Sequence, residues 1–468
     1  MKNELTPIPS QSPNAKRSGK AIVMGASIAG LWTARALSDH FDEVIVFERD
    51  HLPEGPEYRP GTPQARHFHT LLQSGLEQMR TWFPGLEEDL ISAGAVPYDL
   101  TGDTHLRMRN RWYPRFTSGW VLLSCSRLLL EADIRRRLRQ NPCIRFVDGT
   151  EVIGLQGDES NRRVTGVRTR ARGGSSQPEA DSLHQADLVV DASGRSSRTP
   201  HWLVELGYSP PKESEVNSFL GYVTRKYKRK PNTPMLLIVP VPPNNPYGGL
   251  VFPEEDDTMV VMMAGFNKHY PPTDPAAFEA FLQHLGPEFQ EALRGAEPIS
   301  QPVSYRGTSS RWHHYEQLER WPERFVVLGD AFCGFNPIYG QGMSVAAMSA
   351  SALADDIRRS QGNLDGVARS ALRRISKITR AIWFLATSAD LEWPGTQGGA
   401  SKTGLLDRLG RRYVSEILDA MLFDNTVRRQ FFAVNQLIKP GTALFTPEIF
   451  LRVMLQTLLK KRRQMNEA

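Results

Sequence analysis

Cysteine is scarce in this chain. Only Cys125, Cys143 and Cys333 occur among 468 residues, an odd number with no C-x-x-C spacing. That excludes a disulfide framework and a structural zinc site, no metal ligand set is expected, and a reducing cytoplasm is the natural setting. Long apolar runs are also missing. No uninterrupted stretch of about 18 apolar residues exists, so no membrane-spanning helix is expected, and the first twenty residues lack the apolar centre of a secretory signal. No internal repeat of about 20–50 residues recurs. With 37 glycines and 33 prolines, glycine and proline are too few for a collagen-like chain. Neither sign of charge dominates: 57 Lys and Arg stand against 51 Asp and Glu, a net +6. Without a nucleic-acid recognition module, that small excess argues against nucleic acid as a partner and suits an anionic cofactor or a membrane surface.

What remains is an ordinary globular composition, 40% apolar and 23% charged, with enough chain for two or three domains. Residues 1–19 are polar and rich in Pro, Ser and Asn, and read as a disordered tail. The apolar run Ala21-Ile22-Val23-Met24 enters Gly25, a helical pattern follows through Leu31, Ala34 and Leu37, and Val44-Ile45-Val46-Phe47 closes a βαβ unit. A turn-rich loop spans 53–63, then a helix near 70–82 and a basic helix near 127–139. Residues 235–241, 249–252 and 259–265 read as antiparallel strands, the last two joined by the turn 253–257. A buried strand at 325–328 precedes a helix over 343–358, and the chain beyond about 371 reads as helices.

Three segments carry chemistry. The first is Gly25-Ala26-Ser27-Ile28-Ala29-Gly30, with Glu48 at the end of the second strand. The spacing suits a tight turn, a helix N-terminus aimed at a pyrophosphate, close packing at Gly30 and a carboxylate for a ribose, although Ser27 replaces the usual middle glycine. Glu48 disfavours a ribose phosphate, and Arg49 beside it keeps that option open. The second is the strand 187–191 running into Asp191-Ala192-Ser193-Gly194, a small-residue turn that passes under a nucleotide or simply ends a strand. The third is Gly329-Asp330 with Asn336-Pro337-Ile338-Tyr339-Gly340-Gln341-Gly342-Met343. Here a carboxylate at a strand end suits a polyol, and glycines opening a helix offer unpaired N–H groups to an anion.

Together these motifs resemble the para-hydroxybenzoate-hydroxylase-like family of FAD monooxygenases over about residues 20–360. The segments Pro63-Gln64-Ala65-Arg66-His67-Phe68-His69, Ser124-Cys125-Ser126-Arg127, 336–343 and Ala386-Thr387-Ser388-Ala389-Asp390 are most similar to the bacterial polyether (polyene) epoxidase branch, with squalene epoxidase a more distant cousin. The resemblance implies an α/β architecture. A Rossmann-like, GR2-type FAD-binding domain (20–72, 101–200 and 320–375) carries an inserted α+β substrate domain on an antiparallel sheet (73–100 and 201–319), and a C-terminal helical region follows (376–468). It implies that Gly25, Ser27, Gly30 and Glu48 hold the ADP half of FAD and that Arg49, Gln64, Arg127, Asp191 and Gly194 also bind the cofactor. Gly329 and Asp330 then hold the ribityl chain, and Gly340, Gln341, Gly342 and Met343 meet the ring.

Catalysis of that kind inserts one oxygen atom from O2, through a flavin C4a-hydroperoxide, into a small hydrophobic substrate by epoxidation or hydroxylation, as in natural-product biosynthesis. NADPH or NADH supplies electrons, directly or through a flavin reductase. Pro337, Tyr339 and His67 are the candidate catalytic residues, and Phe219, Tyr222, Leu237, Val251 and Phe266 the candidate substrate wall or plain core. A flavin-dependent dehydrogenase or reductase acting on an isoprenoid-like or polyketide substrate is the alternative. The basic, apolar stretch 447–463 suits peripheral contact with an anionic membrane or packing on the domain.

Overall fold

The computed structural model describes residues 17–172, 181–399 and 405–467; most of the expected tail lies outside them. The first βαβ unit forms as expected, with strand Lys20–Met24, helix Ile28–Leu37 and strand Glu43–Phe47. These strands sit in a five-stranded parallel sheet in the order Phe325–Val327, Leu188–Asp191, Lys20–Met24, Glu43–Phe47, Ile144–Val147. Their near-continuous apolar runs are buried on both faces, as a helix-covered parallel sheet requires. Helix Ile28–Leu37 packs against helix Gly342–Ser360, so motifs some 300 residues apart in sequence open beside one another.

A seven-stranded sheet supplies the second layer, running Val303–Tyr305, Gly221–Lys228, Thr258–Gly265, Tyr247–Glu254, Met235–Ile238, Thr104–Met108, Arg111–Trp112. All neighbours are antiparallel except Met235–Ile238 with Thr104–Met108. The strand Thr104–Met108 was expected with the nucleotide-binding part and pairs here instead. Because side chains alternate across a strand, Leu250, Phe252, Met262 and Ala264 join the main core, while Val223, Val251, Val261 and Met263 form a separate cluster with Phe278 and Phe289.

Helices Leu405–Ala420, Asn425–Asn435 and Pro447–Glu467 build a third cluster around Ile417, Met421, Val427 and Val453, closed by Tyr113. On the outer side of the last helix Leu451, Leu455 and Leu458 are exposed, and Lys460 turns back onto Asp419 at 2.5 Å. The side chains of the basic residues 461–463 lie outside the described ones. Among the described residues no helix is long and apolar enough to cross a membrane.

Candidate cofactor and substrate cavity

One cavity of about 770 Å3 runs from the glycine turn to the C-terminal helices. At its glycine-turn end the chain leaves the first strand through Gly25, whose φ of +98° an L side chain rarely adopts. A Cβ on Gly30 would lie 1.8 Å from the Gly25 carbonyl oxygen, so this contact admits only glycine. The helix that follows has no side-chain cap, leaving its first N–H groups for a ligand. Ser27 does not cap it: its hydroxyl donates to Glu131 Oε1 at 2.8 Å and accepts from Arg127 Nη2 at 2.7 Å. Arg127 Nε also meets Glu131 Oε1 at 2.8 Å. Burial would raise the Glu131 carboxyl, but Arg127 and Arg59 outweigh it and hold it below the usual carboxylate range.

Arg59, from the turn-rich loop, was not singled out in the sequence. It is buried, with Nη1 at 3.0 Å from Glu48 Oε2 and 3.3 Å from Asp50 Oδ2, and Nη2 at 3.7 Å from Glu131 Oε2. Burial opposes its charge, and the three carboxylates more than restore it. Glu48 Oε2 also accepts from Ala26 N at 2.9 Å. The carboxylate therefore pins the glycine turn from behind and is not on the cavity wall, a correction to its expected place at a ribose. Ser27, Arg49, Gln64, Arg127 and Gly194 do line the cavity.

Asp191 needs a second correction. Its fully buried carboxylate accepts from Ser193 N and Oγ, Ser197 Oγ and Thr199 Oγ1 at 2.5–2.9 Å, so its lone pairs shape the turn and it stands off the wall. Further along, Gly329, Asp330, Pro337, Tyr339, Gly340, Gly342 and Met343 line the cavity together. Asp330 Oδ2 lies 3.4 Å from Arg195 Nε, and Arg195 is braced on the carbonyls of Ser309 and Phe335. Gly342 opens a 19-residue helix without a side-chain cap; a Cβ there would sit 3.8 Å from Asp330 Oδ1. Gln341 faces inward, buried, with Oε1 unpartnered among the described residues, and does not line the cavity.

His67 is displaced from the catalytic place expected of it. It is buried behind Tyr222, edge-on at 4.8 Å, with Nδ1 on Thr224 Oγ1 at 2.8 Å. Burial and the nearby Arg66 push it down to about 4. The histidine on the wall is His69. Its Nδ1–H donates to the His67 carbonyl at 2.9 Å, which leaves Nε2 to accept from Arg127 at 3.3 Å. Burial and Arg127 push it down to about 3. Both rings are thus neutral in the fold and must charge in acid. A depressed histidine contributes fully above its unfolded value of about 6.5 and loses that contribution as pH falls, about 3 kcal/mol for His67 by pH 4. A steep drop in Tm between pH 6.5 and 4, blunted in His67→Gln and His69→Gln, is the expected result of a pH-scanned melt.

Tyr222, Leu237 and Phe266 line the cavity. Phe266 stacks on Trp393 at 4.6 Å and 12°. Val251 points to the opposite face of the sheet, and half-buried Phe219 lies under Lys268 at 4.5 Å rather than on the wall. Both leave the substrate set. In their place the wall takes Leu106 and Met108 from the strand Thr104–Met108, Leu418 from helix Leu405–Ala420, and Phe431 and Phe432 from helix Asn425–Asn435. Thr104 also lines this chamber, its buried Oγ1 without a partner among the described residues. No group of His, Cys, Asp and Glu among the described residues is arranged to hold a metal ion.

Comparison with known proteins gives the fold independent support, although no family model matches the chain. A flavoprotein/dehydrogenase from Cytophaga hutchinsonii superposes with a TM-score of 0.66 at 14% identity, over 96% of this chain and 100% of its own. PqsL, a probable FAD-dependent monooxygenase from Pseudomonas aeruginosa, gives 0.59 at 18% identity, over 80% and 98%. The flavin-dependent halogenase CmlS gives 0.62 at 18%, over 96% and 79%. At these identities the likeness is one of fold. In sequence the chain is 32% identical over 384 residues, 80% of each chain, to Protein Rv3254 of Mycobacterium tuberculosis (strain ATCC 25618 / H37Rv), and it belongs to the family of that protein.

Proposed function

We propose that the chain is an FAD-dependent monooxygenase that inserts one atom of O2 into a small hydrophobic substrate by epoxidation or hydroxylation. One observation carries this reading: two uncapped helix N-termini, at Ser27-Ile28 and Gly342-Met343, open on one cavity with the Asp330 carboxylate beside the second and an apolar chamber beyond. Helix N-termini stabilise anions, a carboxylate accepts from polyol hydroxyls, and a dinucleotide joined to a ring through a sugar alcohol needs both. The residues present fit FAD. Bound there, FAD would accept electrons from NADPH or NADH, directly or through a reductase, and would supply the activation of O2.

The protein's own part is placement and exclusion of water. Ser27, Ile28 and Arg127 hold the pyrophosphate end, and Asp330 accepts hydroxyl hydrogens of the linking chain. The N–H groups of Gly342 and Met343 would stabilise negative charge on a bound flavin. Pro337 would hold the backbone of the turn rigid where it lines the cavity. Leu106, Met108, Leu418, Phe431 and Phe432 keep the chamber dry, and Thr104 Oγ1 offers one hydrogen bond to orient an otherwise apolar substrate. Purification with FAD, followed by turnover under labelled dioxygen with lipophilic alkenes and arenes, tests the reading. Label in the product supports it, whereas desaturated or reduced product without label favours a dehydrogenase.

Two carboxylates separate binding from folding. Asp330→Ala should weaken FAD binding by about 1–3 kcal/mol, roughly 10- to 100-fold in Kd, because hydroxyls of the ligand lose their acceptor, while the Tm of the cofactor-free protein holds. Glu48→Ala should do the reverse. Its loss leaves Ala26 N and part of the Arg59 charge unanswered, so the Tm falls and FAD affinity changes less. Equal FAD dissociation constants for the two variants would refute this division.

A further inference from the structure

Asp390 ends the helix Val367–Asp390 and is fully buried, where the helix C-terminus adds negative potential to its own charge. Its Oδ1 accepts from Asn336 Nδ2 at 2.9 Å, Tyr339 Oη at 3.0 Å and Ser218 Oγ at 3.1 Å. Its Oδ2 is buried with no partner among the described residues. The groups facing it are the turn bearing Asn336 and Tyr339, the Ser218 segment, and its own helix end; of these Tyr339 alone titrates against it. Among the described residues no charged side chain is a cause of the Asp390 shift, and Glu392 acts on Tyr339. A buried carboxylate without a cation is costly, and a carboxamide would satisfy the same cradle with less penalty. Burial pushes its carboxyl up to about 6 against the three donors. Two of those donors, Asn336 and Tyr339, line the cavity beside Pro337.

We propose that Asp390 and Tyr339 form a proton relay opening on the cavity, with the Asp390 carboxyl as the store and the Tyr339 hydroxyl as the outlet. When an oxyanion develops on a ligand at Tyr339, the phenolic O–H turns away from Asp390 Oδ1 and its bond breaks toward the ligand, a flip of the carboxyl brings the Asp390 O–H into the place the phenol has left, and that bond breaks toward the phenolic oxygen. Two protons each shift one place, so that one is delivered to the ligand, no electrons change hands, and the charge rests on Asp390 until water reprotonates it. Tyr339 meets the ligand; Asp390 acts through it as a positioning residue. The oxyanion's identity, an alkoxide or hydroxide left by oxygen transfer, rests on the oxygenase reading above, and the relay does not.

Three measurements on the full-length, FAD-loaded chain test it. Infrared difference spectra stepped across pH 6 should show a buried carboxylic-acid carbonyl that vanishes in Asp390→Asn and persists, shifted, in Tyr339→Phe. A raised carboxyl loses its stabilising proton as pH climbs through about 6. Asp390→Asn should therefore melt above the native protein beyond pH 6 and level with it near pH 4. The limb of the kcat/KM profile near pH 6 should be lost in both variants, with kcat reduced at least tenfold. A carbonyl band that survives Asp390→Asn, or a limb that both variants keep, overturns the relay. Absence of label in the product, with the band and the melting difference intact, counts against the oxygenase reading alone.

Discussion

Arg127→Ala is expected to destabilise the fold by about 3–5 kcal/mol, because it removes one partner from a buried network and leaves charge behind. Glu131 loses its 2.8 Å contact, the Ser27 hydroxyl loses its donor, and His69 Nε2 loses the hydrogen bond it accepts. Arg59, 3.7 Å from the other Glu131 oxygen, cannot replace that geometry. A comparison on the same helix is Arg136→Ala. That guanidinium is 44% exposed and pairs with Asp133 at 2.7 Å, a surface pair worth about 0–1 kcal/mol. Urea unfolding of the two variants side by side measures the difference. If both shift the midpoint alike, the network around Ser27 does not anchor the turn.

Gly342→Val should have the larger functional effect and almost no structural one. Its Cβ meets nothing closer than Asp330 Oδ1 at 3.8 Å, and replacing glycine in a helix offsets the crowding with a better propensity. The two γ-methyls, however, enter the cavity where the helix presents its free N–H groups. FAD affinity should fall by roughly 100-fold or more, about 2.7 kcal/mol, with turnover falling in step and the Tm of the cofactor-free protein unchanged. Gly342→Ala should lie between. Fluorescence titration of the apoprotein with FAD reads all three, and a native dissociation constant for Gly342→Val would dismiss the helix start as the ring's neighbour.

The glycine-turn end of the cavity was legible because its determinants are largely local. A buried parallel strand is a short apolar run, Gly25 is favoured by its own positive φ, Gly30 is forced by the Gly25 carbonyl, and Gly329-Asp330 sits at a strand end. The carboxylate network was not legible, since Arg59 lies in a loop without periodicity and Glu131 is one acid on a basic helix. Only the fold brings both to Ser27. His67 and His69 share one segment, and two residues of backbone direction decide which reaches the cavity. Val251 was misplaced because its strand is apolar on both faces, so alternation fixes which residues share a face without saying which face holds ligand. The Ala386–Asp390 stretch was visible as a family cue, but its role depends on Asn336 and Tyr339 arriving from more than 50 residues away. Nothing in the C-terminal helices announced that Phe431 and Phe432 would line the cavity.

The seven-stranded sheet works as a party wall. One side is furnished by Leu250, Phe252, Met262 and Ala264, and the other by Val251, Val261 and Met263 against Phe278 and Phe289. The two sets interleave one residue at a time, yet share no side-chain volume. Tenants on the cavity side can therefore be exchanged while the far side keeps the wall standing. A library randomised at 250, 252, 262 and 264 should yield many folded members with altered substrate range, whereas one at 251, 261 and 263 should yield few folded members and no new selectivity.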